Sequence, residues 1–233
     1  MNAAQQNRAM FNDIAPRYDF LNHLLSLNID KIWRRKTVKE ILSDHPQTIL
    51  DIATGTADLA ILLAKDSDTA TVTGIDMAEK MLEIGKEKIN SLNFSNRITL
   101  TQGDALNTPF PDNSFDAVAC AFGVRNFSDR LKGLEEMYRV AKPGGKTVIL
   151  EFSLPQKAPF KQLYNLYFNN ILPKIGRMFS KNKTAYTYLP NSVNTFPAPD
   201  TFMEMMQKAG FVHPQKKKLS LGIATIYTGH KES

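Results

Sequence analysis

The stretch Leu50-Asp51-Ile52-Ala53-Thr54-Gly55-Thr56-Ala57-Asp58-Leu59-Ala60, followed by Thr73-Gly74-Ile75-Asp76, constrains the fold of this chain more than any other. An apolar run ending in an acid, a small-residue turn, a helical continuation and a second apolar run ending in an acid describe one nucleotide-binding βαβ unit. The second acid, Asp76, is placed to accept from both hydroxyls of a ribose.

The loop carries a single glycine, Gly55, whereas a dinucleotide site normally uses G-x-G-x-x-G so that backbone amides can crowd against a pyrophosphate. Asp51 and Asp58 flank the turn and would repel a phosphate, yet they can orient an ammonium group directly or through water. An adenosine ligand with an amino-acid tail and no phosphate, S-adenosyl-L-methionine, fits this loop better than NAD. An ordinary strand, tight turn and helix explains the motif alone about as well.

Two further motifs add to it. Ile98-Thr99-Leu100-Thr101-Gln102-Gly103-Asp104-Ala105 reads as a third strand ending in an acid, and Pro111 to Ala121 as a turn entering a fourth. Open α/β sheets bind ligands beyond the carboxyl ends of their strands, so the Gly55 loop, Asp76 and Asp104 are expected on one edge. Asp104 is placed to accept from an adenine amino group, the Ala105 amide to donate to the ring, and Met77 to pack on its face. A helix cap is the common role of a single Asp after a strand, but three in register are harder to explain that way.

The 233 residues, 42% hydrophobic and 22% charged, suit one globular α/β domain with additions. No run approaches the roughly 18 apolar residues of a spanning helix, and the polar start Met1-Asn2-Ala3-Ala4-Gln5-Gln6 lacks a secretory apolar region. With one cysteine, Cys120, and no clustered His/Cys spacing, neither an internal disulfide framework nor a metal site is expected, and the reading is cytoplasmic. The net charge of +6 is concentrated late, in Lys157, Lys161, Lys174, Arg177, Lys181, Lys183 and Lys216-Lys217-Lys218. A basic surface suits nucleic acid or an anionic membrane face, while a solvated face is the plainer explanation of the lysine run.

Apolar spacing predicts one or two helices over 7–24, broken near Pro16, and another over 31–43. The sheet is expected from Ile49, with helices over 57–65, 78–91 and 128–141. Lys142-Pro143-Gly144-Gly145 is read as a stop and tight turn before a fifth strand, Lys146 to Phe152. An insertion, Leu154 to Pro199, carries Phe160, Tyr164, Tyr167, Ile171 and Ile175 as a helical apolar stripe interrupted by Pro173. A helix over 199–209 and an antiparallel pair, Phe211 to Leu219 and Ala224 to Lys231, close the chain. The expected whole is a single α/β domain over 1–233, a doubly wound, Rossmann-like, seven-stranded sheet with its last strand antiparallel. It divides into a helical lid (1–45), a cofactor-binding core (46–152), a substrate- and membrane-facing insertion (153–199) and a closing helix and strand pair (200–233).

The motifs Tyr18-Asp19-x-x-Asn22, Ser26, Trp33-Arg34-Arg35, Phe122-Gly123-Val124-Arg125-Asn126-Phe127-x-Asp129 and Glu136-Met137-Tyr138-Arg139-Val140-x-Lys142-Pro143-Gly144-Gly145 resemble the ubiquinone/menaquinone biosynthesis C-methyltransferases over nearly the whole chain. Two departures stand out: a second glycine is missing from Ala53-Thr54-Gly55-Thr56-Ala57-Asp58, and Ala121 replaces a serine expected near the cofactor. The resemblance implies the class I fold and S-adenosylmethionine-dependent methylation of a ring carbon of a prenylated quinol. It further implies Asp51, Thr54, Gly55, Thr56, Asp58, Asp76, Met77, Asp104, Ala105 and Ala121 around the cofactor. Arg125 is assigned to the developing phenolate, Asn126 to the ring oxygen, and Tyr18 and Asp19 to the lid over the reacting centre. Asn22, His23, Trp33, Phe122 and Tyr164 are assigned to the substrate, Asp19 and His23 being candidate proton acceptors. Core packing is an equally good role for Trp33 and Tyr18, and a salt bridge to Asp129 an alternative one for Arg125. Peripheral contact with a membrane is allowed by the polyprenyl tail, and a homodimer is left open.

Competing readings are weaker. Ala121-Phe122-Gly123-Val124 lacks the Asn/Asp-Pro-Pro-aromatic grip on exocyclic amines, so no nucleic-acid partner is expected. Cys120 follows Ala119 rather than the proline of a pyrimidine-methylating nucleophile, which makes it a small buried strand residue. A noncatalytic cofactor-binding partner of a quinone-synthesis assembly is opposed by the Arg125-Asn126 pair.

Overall fold

A computed structural model of the chain describes residues 3–155, 158, 162, 166 and 183–233. The amphipathic start forms α1 (Ala3–Ile14), a 3-10 turn (Ala15–Arg17) with Pro16 in its first positions, and α2 (Tyr18–Leu25). Proline lacks the amide that a continuous helix would need, which explains the break. A tight elbow in which Leu27 and Asn28 are left-handed (φ 52° and 60°) leads into α3 (Ile29–Leu42).

Then come β1 (Thr48–Ile52), α4 (Asp58–Asp66), β2 (Thr71–Asp76), α5 (Glu79–Ser91), β3 (Ile98–Gln102), β4 (Phe115–Ala121), α6 (Arg130–Val140) and β5 (Ala141–Phe152). The chain closes with α7 (Lys183–Asn194), α8 (Pro199–Lys208), β6 (Val212–Leu219) and β7 (Ala224–His230). Seven strands form one sheet in the order β3-β2-β1-β4-β5-β7-β6. β1 to β5 pair in parallel, and β7 is antiparallel to both neighbours.

Two apolar layers flank this sheet. Ile49, Val72, Ala117 and Ala119 pack against Val38 and Ile41 of α3, Leu59 and Leu63 of α4, and Leu82 and Ile89 of α5. On the other face Leu50, Ile52, Val118, Cys120 and Ile149 meet Leu134 and Met137 of α6 and Phe202 and Met206 of α8. Neighbours in a strand point to opposite faces, so strands buried on both sides are mainly apolar, and the buried acids Asp51 in β1 and Glu151 in β5 are exceptions.

Two expectations change. Lys142 to Gly145 do not make a turn outside the sheet, because β5 already starts at Ala141, which pairs with Phe115. The register shifts between Phe115 and Ala117, and Gly144 adopts φ 73° while its amide reaches Lys231 O at 3.0 Å, so the Pro-Gly-Gly run becomes an irregularity within the strand. The third strand stops at Gln102, which leaves Asp104 in the following turn, where its carboxylate accepts from the Leu106 amide at 2.9 Å. The aromatic stripe around Tyr164, Tyr167, Ile171 and Ile175 lies outside the described residues.

Candidate active site

The carboxyl ends of β1, β2 and β4 and the loop after β3 surround a cavity of about 800 Å³, including its open mouth. Its wall contains Gly55 after β1, Asp76, Met77 and Ala78 after β2, Gly103 to Leu106 after β3, and Ala121 to Gly123 after β4. Asn7, Arg8 and Phe11 of α1 and Tyr18 of α2 close the remaining side. This volume is in the range of small-molecule sites.

The backbone is bent sharply to make that wall. Ala53, Ala57 and Phe122 are non-glycine residues in the left-handed region (φ 56°, 66° and 61°), beside Gly55 at φ 56°. Each such alanine or phenylalanine costs on the order of 1 kcal/mol, a strain that concentrates at functional loops. Gly123 is required by contact instead: a Cβ there would lie 2.6 Å from both Ala53 Cβ and Cys120 Sγ.

Asp76 is the best-prepared acid in the cavity. Its carboxylate accepts from the amides of Gly55 (2.9 Å) and Ala78 (2.8 Å), and also from Met77. An ionised carboxylate offers about four acceptor positions, so capacity is left for a ligand hydroxyl. Burial raises its pKa, against the pull of these amides.

The sequence-assigned residues fall into three groups. Tyr18, Gly55, Asp76, Met77, Asp104, Ala105, Ala121, Phe122 and Asn126 line the cavity. Asp19, Thr56, Asp58, Asn22 and His23 do not; most of these tie α2 to the loop after β1. Thr56 Oγ1 donates to Asp19 at 2.5 Å, and Lys88 Nζ bridges Asp19 (3.0 Å) and Asp58. His23 Nδ1 sits 2.8 Å from Asp30, a buried acid also held by Ser26 and Arg34, while its Nε2 is 3.9 Å from Asp58. Burial would raise the Asp58 pKa, but Arg34 and Lys88 lower it on balance. Asp58 is therefore occupied by cations of the chain itself, and neither Asp19 nor His23 reaches the cavity as a proton acceptor. Asn22 bonds the Tyr18 hydroxyl.

The third group is buried beneath the cavity. Asp51 is 1% exposed, receives the Thr54 hydroxyl at 2.6 Å, and has its pKa pushed by burial to about 7. Trp33 is core, 3% exposed, packed edge-on to Phe152 and donating its indole N–H to Ser220 Oγ at 2.9 Å. It reaches the site only through Phe122, whose ring centroid is 6.2 Å away. Arg125 does not line the cavity either, and its partner is not Asp129, which caps α6 by accepting from the Lys132 amide. Arg125 Nη1 donates to Glu151 at 2.8 Å and to Phe122 O, with the guanidinium 5.3 Å from the Phe152 ring.

The Arg125–Glu151 pair is buried, yet among the described residues Arg125 Nε and Glu151 Oε2 have no hydrogen-bond partner. Burial raises the Glu151 pKa, opposed by Arg125; burial would lower that of Arg125, but Glu151 outweighs it. Burial likewise raises the Tyr18 pKa, while the Arg125 charge acts on it in the opposite sense. Tyr18 is thus kept as a neutral hydroxyl donor at the cavity wall with a cation behind it. Asn126 is held by Tyr188, whose hydroxyl donates to Asn126 Oδ1 at 2.8 Å, and by Asn7, which donates to Asn126 O at 3.1 Å.

Glu151, Tyr188 and the α1 residues Asn7, Arg8 and Phe11 were missed from sequence. Glu151 left a readable sign, since it is the lone acid in Val148-Ile149-Leu150-Glu151-Phe152. Cys120 is fully buried with its thiol pKa raised well above the usual value, which removes it as a nucleophile.

The sheet order with a lone antiparallel last strand, and an acid-lined cavity across the ends of its first strands, define the class I methyltransferase fold. The chain aligns with the [4+2]-cyclase SpnF at a TM-score of 0.71 and 17% identity, covering 98% of this chain and 96% of that one. It matches Haemonchus contortus phosphoethanolamine N-methyltransferase 2, solved with S-adenosyl-L-methionine, at a TM-score of 0.68 and 16% identity, covering 96% and 60%. The chain belongs to the ubiE/COQ5 methyltransferase family, whose model matches residues 1–231. Among curated relatives, the ubiquinone/menaquinone biosynthesis C-methyltransferase UbiE of Geotalea daltonii is 50% identical over 223 residues, 95% of this chain and 94% of the relative. The demethylmenaquinone methyltransferase of Porphyromonas gingivalis is 46% identical over 228 residues, 97% and 93%.

Proposed function

We propose that this chain uses S-adenosyl-L-methionine to methylate a ring carbon of a prenylated quinol, with a demethylated naphthoquinol, demethylmenaquinol, as the acceptor. The observation that carries the cofactor half is Asp76, a half-buried carboxylate held by backbone amides at the wall of a cavity that also contains Asp104 and Met77. Two acids in the lining suit a nucleoside and oppose a phosphate, and the cation of the lining, Arg8, is paired with Glu79. Asp76 would hold the ribose hydroxyls, Met77 would cover the adenine, and Asp104 with the Ala105 amide would meet its polar edge. When bound, the cofactor supplies an electrophilic methyl group on a sulfonium.

The ring carbon becomes nucleophilic when a quinol hydroxyl loses its proton, because the phenolate charge is delocalised onto it. The chain's part is to stabilise that charge. The Tyr18 hydroxyl can donate to the phenolate oxygen, and buried Arg125 supplies a positive field from behind. Asn126, fixed by Tyr188 and Asn7, can orient the ring, and α1 and α2 exclude water. The curated relatives named as demethylmenaquinone methyltransferases support the naphthoquinol, and those named for both pathways keep a benzoquinol as the competing acceptor.

Transfer of labelled methyl to chemically reduced demethylmenaquinone tests the reading, with a reduced 2-polyprenyl-6-methoxy-benzoquinol, the oxidised quinones and tRNA in parallel. Label in the naphthoquinol alone is expected. Label in both quinols would make the enzyme serve both pathways, and label in tRNA alone would overturn the proposal.

A further inference from the structure

The described residues contain no helix long and apolar enough to cross a membrane, yet large apolar side chains stand in water at one end of the molecule. Leu27 is 69% exposed, Leu221 64%, Ile32 52% and Leu154 39%. Contacts between their neighbours place three of them on one rim. The indole of Trp33, beside Ile32, bonds Ser220, beside Leu221. Ser153, beside Leu154, donates its hydroxyl to Gly222 O at 2.8 Å. Leu27 forms the elbow that feeds α3, one turn before Ile32.

The topology places this rim. β5 and β6 run in the direction of β1, so Leu154 and the turn at Ser220–Gly222 emerge at the sheet edge where the cavity lies. α3 leads back into β1, and its first turn lies at that edge too. Leu221 holds a left-handed conformation (φ 61°) with its side chain in solvent, which is costly for a branched residue and unrelated to core packing.

Charge follows the same outline. Lys31, Arg35 and Lys36 are exposed on the face of α3 that presents Ile32, a continuous stripe at helical spacing. Of the acids nearest in sequence, Asp30 is buried with Arg34 and His23, Asp19 is engaged by Thr56 and Lys88, and Glu40, at the far end of α3, is paired with Lys146 and Lys217. Lys217, exposed but 4.0 Å from Glu40, and exposed Lys218 lie on the strand leading to Leu221. Exposed aliphatic side chains bordered by the basic stripe Lys31, Arg35 and Lys36 fit an anionic bilayer surface, where the former enter the acyl boundary and the latter meet phosphates.

We propose that Leu27, Ile32, Leu154 and Leu221, bordered by Lys31, Arg35 and Lys36, dock the protein on the headgroup layer of an anionic phospholipid bilayer. The proposal deepens the quinol reading, on which it rests for its purpose: a substrate with a polyprenyl tail resides in the bilayer, and docking by this rim sets the cavity edge against it.

The test is flotation of the full chain with phosphatidylcholine vesicles, with and without phosphatidylglycerol. Binding to the anionic vesicles is expected and should weaken with salt. The triple variant Leu27→Ser, Ile32→Ser, Leu221→Ser should lower partitioning at least about 10-fold. Lys31→Gln, Arg35→Gln, Lys36→Gln should lower it about 10-fold on anionic vesicles only. Both variants should keep wild-type methyl transfer to a water-soluble short-tail quinol, which also shows that they fold. Absence of wild-type binding, or equal binding by the apolar variant, would overturn the proposal. So would an apolar variant that turns a dimer into a monomer with vesicle binding unchanged, since the rim would then join two copies. Vesicle binding without methylation of any quinol would leave the docking surface standing and remove the proposed reaction instead.

Discussion

Asp116 at one edge of the sheet and Asp51, Asp76 and Glu151 at the other are in opposite electrostatic states. At the amino-terminal edge, Asp116 accepts from the Thr48 amide and hydroxyl (both 2.8 Å), the Gln47 amide (3.0 Å) and Lys142 Nζ (2.7 Å). Burial would raise its pKa, but Lys142 and Thr48 bring it down to about 2. Lys146 in the same cleft is likewise satisfied by Glu40 O, Ser43 and Asp44. At the carboxyl edge, burial raises the pKa of Asp51, Asp76 and Glu151, and among the described residues Glu151 Oε2 and Arg125 Nε lack partners. Charges that are fully paired hold a fold together; charges desolvated and left short of partners are prepared for something the chain itself does not supply.

The largest effect should come from breaking the Arg125–Glu151 pair. Glu151→Ala leaves a buried guanidinium uncompensated and should cost about 3–5 kcal/mol in urea unfolding. Asp76→Ala frees the Gly55, Ala78 and Met77 amides and should cost about 1–3 kcal/mol of stability, while weakening cofactor binding about 100-fold by calorimetry, the loss of two hydroxyl bonds to a charged acceptor. A variant with unaltered affinity would remove Asp76 from the ribose site.

The pH dependence of stability should carry opposite signs at the two edges. Asp116 has its pKa lowered, so its contribution is present above about pH 4 and lost as pH falls toward 2. Asp51 has its pKa raised to about 7, so between about pH 4 and 7 the unfolded chain has released a proton that the folded chain retains, and stability falls as pH rises. Asp116→Asn should therefore flatten the acid limb at a cost of about 1–2 kcal/mol with methyl transfer unchanged. Asp51→Asn should flatten the decline from pH 4 to 7. Stability curves of the two variants that coincide would cancel the contrast. The smallest change is Ala121→Ser, which adds a hydroxyl to the cavity wall and should tighten cofactor binding a few-fold, about 1 kcal/mol.

The sheet was largely legible in the sequence, because strands buried on both faces are apolar runs bounded by turn residues. The three acids at strand ends could be placed on one edge by the same logic. Their separate roles could not. Asp58 looks as available as Asp76 along the chain, but Lys88 and Arg34 arrive from other helices and occupy it. Trp33 reads equally as substrate wall or core until Phe152 and Ser220 are seen against it. Lys142 to Gly145 read as a turn because their local chemistry is that of a turn, while pairing of Ala141 with Phe115 and the bond to Lys231 draw them into the sheet.

Local rules therefore determined the order of elements, the break at Pro16, the single-glycine loop and the edge at which the cavity opens. They depend on side-chain period and turn preference, which neighbouring residues settle among themselves. Tertiary structure alone decided that Glu151 pairs with Arg125, that Asn7 meets Asn126 across 119 positions, and that Ala53, Ala57 and Phe122 take left-handed backbone. Those choices arise from contacts between residues far apart in the chain, where burial sets the strength of every charge and where strain at one residue is offset by packing at many others.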